Sequence, residues 1–133
     1  MCCGKILLIA GSCGKRERTF EKVDDVRVFV PQLSKENIIA NQPIIDILNR
    51  FAAEKQATPA QITLAWMLHK YPNVVPIPGS KRKERILENL GAWNVTLTDE
   101  EFSSLEAALN AVEVHGHRGN VENERSTMKE WKR

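Results

Sequence analysis

The sequence predicts an α/β protein that is mainly helical, and three observations support this class. Four segments carry apolar residues at helical spacing, and two of them begin with a capping box. One segment, Val74–Ile77, is apolar and β-branched without polar alternation, which is typical of a strand buried on both faces of a parallel sheet. Because a parallel strand cannot satisfy its backbone alone, we expect one piece of a larger α/β architecture, with one or two parallel strands.

The composition is that of an ordinary globular protein. Of the 133 residues, 42% are apolar and 27% are charged, and the formal net charge is +2. Basic and acidic residues nearly cancel, which argues against nucleic-acid binding. Cys2, Cys3 and Cys13 form no disulfide framework, so we expect reduced thiols in a cytoplasmic protein. The apolar run Ile6–Ala10 is too short for a signal-peptide core or a membrane span.

The first forty residues carry weak structural signals. Residues 1–18 contain one apolar run, Ile6–Ile9, that could form a short buried strand. Residues 19–40 lack sustained periodicity, so we expect a long connection with a short helical turn after Ser34.

Two helices with clear start signals follow. The first begins at Asn41, which can cap it, with Pro43 in its first turn. Its apolar face consists of Ile44, Ile47, Leu48 and Phe51. The second begins with a capping box of Thr58 and Gln61 and ends near Tyr71. Its apolar residues lie almost all round it: Ile62, Leu64, Ala65, Trp66, Met67 and Leu68. Such a helix must be covered on more than one side.

Two further helices follow the predicted strand. We expect one from about residue 80 to residue 90, ended by Gly91. The last begins with a capping box of Thr98 and Glu101. Its apolar face consists of Phe102, Leu105, Leu109 and Val112. The tail from His115 onward is polar, and no His or Cys pair in the chain has the spacing of a structural metal site.

The corner between the strand and the next helix has the composition of an anion site. A helix start presents free backbone N–H groups and a partial positive charge. Gly79 would let a ligand approach the backbone, and Ser80 could cap the helix or bond a phosphate oxygen. Lys81 and Arg82 lie where that phosphate would arrive. The alternative is a solvated basic turn, but cations at a helix start oppose its dipole, which favours a bound anion.

The helix that follows adds groups suited to an adenine ring. Arg85, Glu88 and Asn89 share one face, three and four residues apart. Arg85 could bind phosphate or stack on adenine, while Glu88 and Asn89 could bond the adenine edge. The inward face of this helix is expected to consist of Ile86, Leu87 and Leu90. This set suits an adenosine that carries an extra phosphate.

The stretch PIPGSKRKERILENL resembles the segment after the eighth strand of aldo-keto reductases, which in that family binds the 2′-phosphate and adenine of NADPH. The segments TPAQ, TLAW and VTLTDEEFSSLEAAL are also similar to that family. The resemblance implies a C-terminal fragment of a (β/α)8 TIM barrel. Residues 19–133 would form a partial aldo-keto reductase domain, and residues 1–18 an unmatched segment.

The resemblance also implies roles for single residues and for the chain. Ser80 and Lys81 would bind the 2′-phosphate, Arg85 the phosphate and adenine, Glu88 and Asn89 the adenine edge, and Gly79 would contribute its backbone. The family draws its catalytic Asp, Tyr, Lys and His from the first half of the barrel, so no catalytic residue is expected here. The single tyrosine, Tyr71, is expected to cap or pack.

Two functions follow as expectations. In the first, the chain contributes the NADP(H) site of an enzyme that reduces aldehydes or ketones, and it is inactive alone. In the alternative, it is a non-enzymatic interaction fragment that assembles with a complementary barrel piece or with itself. A third reading, a small nucleic-acid binder, is disfavoured by the near-neutral charge.

Overall fold

A computed structural model of the protein describes residues 30–117, and the regular secondary structure within that range is helical. The elements are a 3-10 turn at Pro31–Leu33, α1 at Lys35–Ala40, α2 at Gln42–Glu54, α3 at Pro59–Lys70, α4 at Lys83–Leu90, a 3-10 turn at Gly91–Asn94, and α5 at Asp99–Asn110. No strand occurs between residues 30 and 117. The predicted helical turn after Ser34 is confirmed as α1.

Helix α3 lies at the centre of these elements. It contacts α2, α4 and the 3-10 turn Gly91–Asn94, and α2 also contacts α5. Large apolar side chains of α2, α3 and α5 are almost fully buried: Ile44, Leu48, Ile62, Trp66, Leu105 and Leu109. The predicted cover of α3 on more than one side is therefore confirmed. Each such burial stabilises the fold by about 1.5–3 kcal/mol.

Both predicted capping boxes are present, and they set the starts of α3 and α5. The backbone N–H of Gln61 donates to Thr58 Oγ1 at 3.3 Å, and that of Thr58 donates to Gln61 Oε1 at 2.9 Å. The equivalent distances for Thr98 and Glu101 are 3.2 Å and 2.8 Å. Lys55 Nζ at the end of α2 lies 2.6 Å from Glu101 Oε2, and this hydrogen bond lowers the pKa of Glu101. The second box therefore also ties α2 to α5.

A charged cluster satisfies the indole N–H of the buried Trp66. Trp66 Nε1 donates to Glu106 Oε2 at 2.6 Å, and Lys70 Nζ pairs with the other carboxylate oxygen. Lys70 Nζ also lies 5.1 Å from the centroid of the Trp66 ring. Burial raises the pKa of Glu106, but the hydrogen bonds from Lys70 and Trp66 outweigh it, so the net shift of this pKa is downward.

The predicted side-chain cap at Asn41 is wrong. Asn41 does precede α2, but its side chain makes no capping hydrogen bond. Its Nδ2 donates to the carbonyl of His115 at 2.9 Å, and its Oδ1 accepts from the N–H of His115 at 2.8 Å. Gly116 follows with a φ of +83°, and a Cβ there would lie 2.6 Å from Gln32 Cα. The buried Asn41 therefore holds the segment after α5 against the start of α2.

The predicted strand Val74–Ile77 is also wrong, because this segment is neither paired nor buried within residues 30–117. Val75 is 82% exposed and Ile77 is 93% exposed. A buried parallel strand needs neighbours on both edges, and residues 30–117 contain no strand that could supply them. The prediction that one face of α4 points inward is wrong for the same reason, because residues 30–117 contain no sheet that could cover it. Its three apolar residues are all exposed: Ile86, Leu87 and Leu90.

Several predictions concern residues outside the described range. They include the reduced thiols of Cys2, Cys3 and Cys13, the short strand Ile6–Ile9, and the domain boundary between residues 18 and 19. These stay predictions, as does the cytoplasmic location. Between residues 30 and 117, the structure has no helix with the length and apolar character needed to cross a membrane.

Helix α2 ends in a Schellman motif whose left-handed residue is a glutamine. Gln56 has a φ of +53°. The N–H of Ala57 donates to the carbonyl of Ala52 at 2.9 Å, and that of Gln56 donates to the carbonyl of Ala53 at 3.3 Å. A residue with a β-carbon in this conformation costs roughly 1–2 kcal/mol, which glycine avoids.

Gln56→Gly should therefore raise the free energy of unfolding by roughly 0.5–1 kcal/mol, because the relief of strain exceeds the added chain entropy of glycine. Urea denaturation measures this change. Gln56→Ala keeps the β-carbon and should give no such gain. If Gln56→Gly lowered the stability, or if both variants raised it equally, this account of the helix end would be wrong.

The Trp66–Glu106–Lys70 cluster predicts a pH-dependent stability. The pKa of Glu106 is lower in the folded chain than its ordinary value of 4.5. The ionised Glu106 therefore contributes fully to the free energy of unfolding at pH values above 4.5. This contribution is lost as the pH falls through the pKa of the folded chain. Glu106→Gln keeps an acceptor for Trp66 but loses the charge for Lys70, so it should lower the free energy of unfolding at neutral pH by about 1 kcal/mol.

Denaturation of both proteins from neutral pH down to about pH 3 measures this difference, which should shrink toward the acid end. Glu54→Gln is the matched control, because Glu54 is an exposed carboxylate on α2 with no salt bridge to another described residue. It should change the stability little at any pH. A loss from Glu106→Gln that stayed constant over the whole range would contradict the ion-pair assignment.

Candidate anion-binding site

The turn before α4 is exposed and is organised around one hydroxyl group. Ser80 Oγ accepts from the N–H of Arg82 at 3.2 Å and lies 3.3 Å from the carbonyl of Arg82, to which it can donate. Arg82 is the residue that precedes α4, and no side chain caps the helix there. The helix therefore begins at Lys83, three residues later than the sequence predicts, because the hydroxyl of Ser80 closes a local turn instead of capping the helix.

The start of α4 is an open helix N-terminus with cations around it. The N–H groups of Arg85 and Ile86 both donate to the carbonyl of Arg82, at 3.1 Å each. The N–H groups of Lys83 and Glu84 make no hydrogen bond to another described residue. The cations at this end are all exposed: Lys81, Arg82 and Lys83. Arg82 Nε lies 3.8 Å from the exposed carboxylate of Glu84, a surface contact that contributes little.

Gly79 leaves space beside the turn. A Cβ built on Gly79 would meet no other atom within 4 Å. Internal packing therefore does not require a glycine here. The space beside its backbone is what a ligand needs for a close approach to the turn.

The side chains predicted to bind adenine are divided between two places. Arg85 Nη1 donates to Glu88 Oε2 at 3.0 Å, so these two side chains are brought together on one face of α4. Asn89 instead borders an apolar groove of about 360 Å³ between α3, α4 and the segment that precedes α4. The groove is lined by Leu64, Leu68, Pro76, Ile77, Pro78, Ile86, Asn89, Leu90, Ala92 and Trp93.

Gln61 holds the end of α4 in place, whereas the sequence predicted only that it caps α3. Gln61 uses Oε1 for the capping box of α3, while its Nε2 donates to the carbonyl of Glu88 at 2.8 Å. A Cβ on Gly91 would lie 2.4 Å from that Nε2. A β-carbon at position 91 would therefore push the Gln61 amide away from its bond to Glu88. The prediction that Gly91 ends α4 is confirmed, with a φ of −61°. The sequence signal for this contact was the glycine directly after α4. That glycine alone did not indicate that Gln61 would be the residue packed against it.

Comparison with known proteins assigns the chain to a family. Residues 10–110 match the model described as the aldo/keto reductase family. This match covers most of the 133 residues, and the chain belongs to that family. The resemblance carried by PIPGSKRKERILENL is therefore confirmed.

A curated relative shows how much of a whole family member this chain corresponds to. The chain is 35% identical over 94 residues to a Schizosaccharomyces pombe protein named aldo-keto reductase yakc, whose name specifies NADP(+). The alignment covers 71% of this chain and 28% of the relative, so the chain spans under a third of that protein. No solved structure matches the chain significantly.

The double role of Gln61 predicts that its amide stabilises the end of α4. Gln61→Glu keeps an acceptor for the capping box but replaces the donor to Glu88 with a carboxylate facing a carbonyl. We expect the free energy of unfolding to fall by about 1–2 kcal/mol and hydrogen exchange to accelerate in α4.

Gln42→Glu is the matched control for this change. It also removes an amide donor, since Gln42 Nε2 bonds Asp46 Oδ1 at 2.9 Å, but that bond is on the exposed surface of α2. Urea denaturation and amide hydrogen exchange measure both variants. Unchanged exchange in α4 of the Gln61→Glu protein would show that Gln61 does not position this helix.

Proposed function

We propose that residues 79–89 bind the adenosine 2′-phosphate end of NADP(H) and so contribute the cofactor site of an aldo-keto reductase that reduces aldehydes or ketones. The observation that carries this proposal is the open N-terminus of α4, where two N–H groups make no hydrogen bond to a described residue and three cations are exposed. Family membership and the NADP(+) in the name of the relative support it.

The residues at this turn fit a phosphate group. Lys81, Lys83 and the first-turn N–H groups supply positive charge and donors, and an anion would remove the unfavourable contact between these cations and the helix dipole. Ser80 would turn its hydroxyl from Arg82 toward the phosphate. Arg85 is 39% exposed at its side chain and keeps donors beyond the one that bonds Glu88.

The base of the nucleotide would lie along α4. Arg85 offers a planar guanidinium for stacking, and the bond to Glu88 holds that plane against its own helix. Asn89 faces the apolar groove, where an adenine edge would find both a donor and an acceptor. Bound NADPH would supply the hydride; the residues of this chain would bind and orient it.

We further propose that this chain alone supplies binding without turnover. Its single tyrosine, Tyr71, caps the end of α3 through its N–H, which donates to the carbonyl of Met67 at 3.0 Å. That position gives Tyr71 a structural role. A spectrophotometric assay of NADPH oxidation with a broad carbonyl panel tests this point, and saturable oxidation by the purified chain would overturn it.

The interaction-fragment alternative rests on a separate observation. Four exposed large apolar side chains line one groove of the described fold: Ile77, Ile86, Leu90 and Trp93. A contiguous apolar surface of this kind is typical of an interface. Under this alternative, the chain would assemble with a complementary barrel piece or with itself. The cationic turn lies outside this apolar surface, but the groove that Asn89 borders belongs to both, so a partner on this surface would compete with the adenine for that groove.

The cofactor proposal predicts a preference for one of two small probes. We expect 2′,5′-ADP (adenosine 2′,5′-bisphosphate) to bind more tightly than 5′-AMP, because the two differ only by the 2′-phosphate. Lys81→Gln and Arg85→Gln should each weaken 2′,5′-ADP by roughly tenfold or more, as charge-assisted hydrogen bonds are worth about 1.5–3 kcal/mol. Isothermal titration calorimetry measures these affinities.

Lys35→Gln is the matched charge control, since Lys35 is an exposed cation on α1. It should leave the affinity of 2′,5′-ADP almost unchanged. Equal affinity for the two probes would exclude recognition of the 2′-phosphate. If Lys35→Gln weakened the binding of 2′,5′-ADP as much as Lys81→Gln does, general electrostatic attraction would explain the affinity without a specific site.

A further inference from the structure

The ion pair between Arg85 and Glu88 joins two successive turns of α4. Arg85 lies in the first turn, where its N–H donates to the carbonyl of Arg82 at 3.1 Å. Glu88 lies one turn later, and its carboxylate oxygen Oε2 accepts from Arg85 Nη1 at 3.0 Å. The Arg85 side chain is 39% exposed and the Glu88 side chain is 22% exposed. The two charges are therefore partly shielded from water and interact more strongly than those of a fully exposed pair.

The stability of α4 does not by itself explain this pair. A helix carries a partial positive charge at its start and a partial negative charge at its end. Because α4 spans Lys83–Leu90, Arg85 places a cation in the first turn and Glu88 places an anion in the last turn. An acid–base pair at such a spacing stabilises a helix more when the acid is nearer the start. The order of the two charges therefore favours a role for Glu88 in setting the state of the Arg85 guanidinium.

The backbone of Glu88 is tied to the core of the described fold. Its carbonyl accepts from Gln61 Nε2 at 2.8 Å, and the same Gln61 side chain completes the capping box of α3. This bond holds the last turn of α4 in place. The Glu88 carboxylate therefore stays within reach of Arg85 when a ligand arrives.

We propose that Glu88 opposes the binding of the 2′-phosphate and so limits how strongly this chain prefers NADP(H) to NAD(H), an inference that rests on the cofactor site proposed above. In the free chain, the carboxylate already occupies one donor of Arg85. A bound phosphate either displaces this carboxylate or shares the guanidinium with it, and sharing places two anions on one cation. Both routes cost free energy, and a ligand without a 2′-phosphate incurs neither.

Glu88 also orients Arg85, but this effect does not depend on its charge. A neutral acceptor at the same position would hold the guanidinium through the same hydrogen bond. A phosphate monoester carries roughly −1.5 to −2 charges at pH 7, so its repulsion by an adjacent carboxylate is strong at short range. The charge of Glu88 therefore acts mainly against the phosphate, while its oxygen atoms position Arg85.

Isothermal titration calorimetry with 2′,5′-ADP and 5′-AMP tests this assignment. Glu88→Gln keeps an acceptor for Arg85 and removes the charge. It should tighten the binding of 2′,5′-ADP by roughly three- to tenfold and leave the affinity of 5′-AMP almost unchanged. The preference for the 2′-phosphate should therefore rise. Circular dichroism checks that the variants fold, which is expected because the bond from Gln61 goes to the backbone of Glu88.

A double-mutant cycle with Arg85→Gln separates this ion pair from the general effect of charge. Without Arg85 there is no shared cation, so Glu88→Gln should tighten 2′,5′-ADP by no more than about twofold. Glu84→Gln is the matched control, because it removes an exposed carboxylate of the same helix that lies near Arg82 Nε. Its effect on 2′,5′-ADP should be the same with and without Arg85.

The outcomes separate this inference from the cofactor site. If the chain binds 2′,5′-ADP more tightly than 5′-AMP but Glu88→Gln leaves that affinity unchanged or weakens it, Glu88 does not oppose the phosphate and only this inference is overturned. An equal gain from Glu88→Gln with and without Arg85 would also overturn it. A chain that shows no preference for 2′,5′-ADP would overturn the cofactor site and this inference together.

Discussion

Covering helix α3 on more than one side is the constraint on which the rest of the described structure depends. Its apolar residues occupy nearly the whole circumference, and α2, α4 and the 3-10 turn Gly91–Asn94 contact it from different directions. The largest of its side chains, Trp66, is fully buried, and its one polar atom needs a partner. Glu106 of α5 supplies that partner while it pairs with Lys70, which fixes α5 against α3. The hydrophobic requirement of one helix thus determines where four other elements lie.

The candidate site takes its position from the same helix. Gln61 closes the start of α3 with one amide atom and bonds the carbonyl of Glu88 with the other, so the end of α4 is tied to the core. At the start of α4, the first two N–H groups make no hydrogen bond within residues 30–117, and exposed cations there oppose the helix dipole. A bound phosphate would make this arrangement favourable. A helix held at its end and open at its start is well suited to receive an anionic ligand.

Signals carried by neighbouring residues predicted much of this fold. Thr58 with Gln61, and Thr98 with Glu101, placed the starts of α3 and α5 correctly because a capping box is complete within four residues. Predictions that needed a distant partner failed. Asn41 bonds His115, 74 positions away, and no local pattern reports such a contact. The apolar run Val74–Ile77 predicted a buried strand, but burial requires neighbouring strands that residues 30–117 do not contain. For the site, the sequence predicted the cationic turn but not the role of Gln61 or Gly91 in holding α4.

The most direct test of the central claim is an amide-resolved NMR titration of the chain with NADP(+). We expect the largest shifts in the backbone signals of Gly79, Ser80, Lys81 and Glu84, where an arriving phosphate would contact the turn and the first N–H groups of α4. The same titration with NAD(+), which lacks the 2′-phosphate, should shift these signals far less. Shifts of equal size with both dinucleotides, or shifts that spare the turn while other regions respond, would contradict the account.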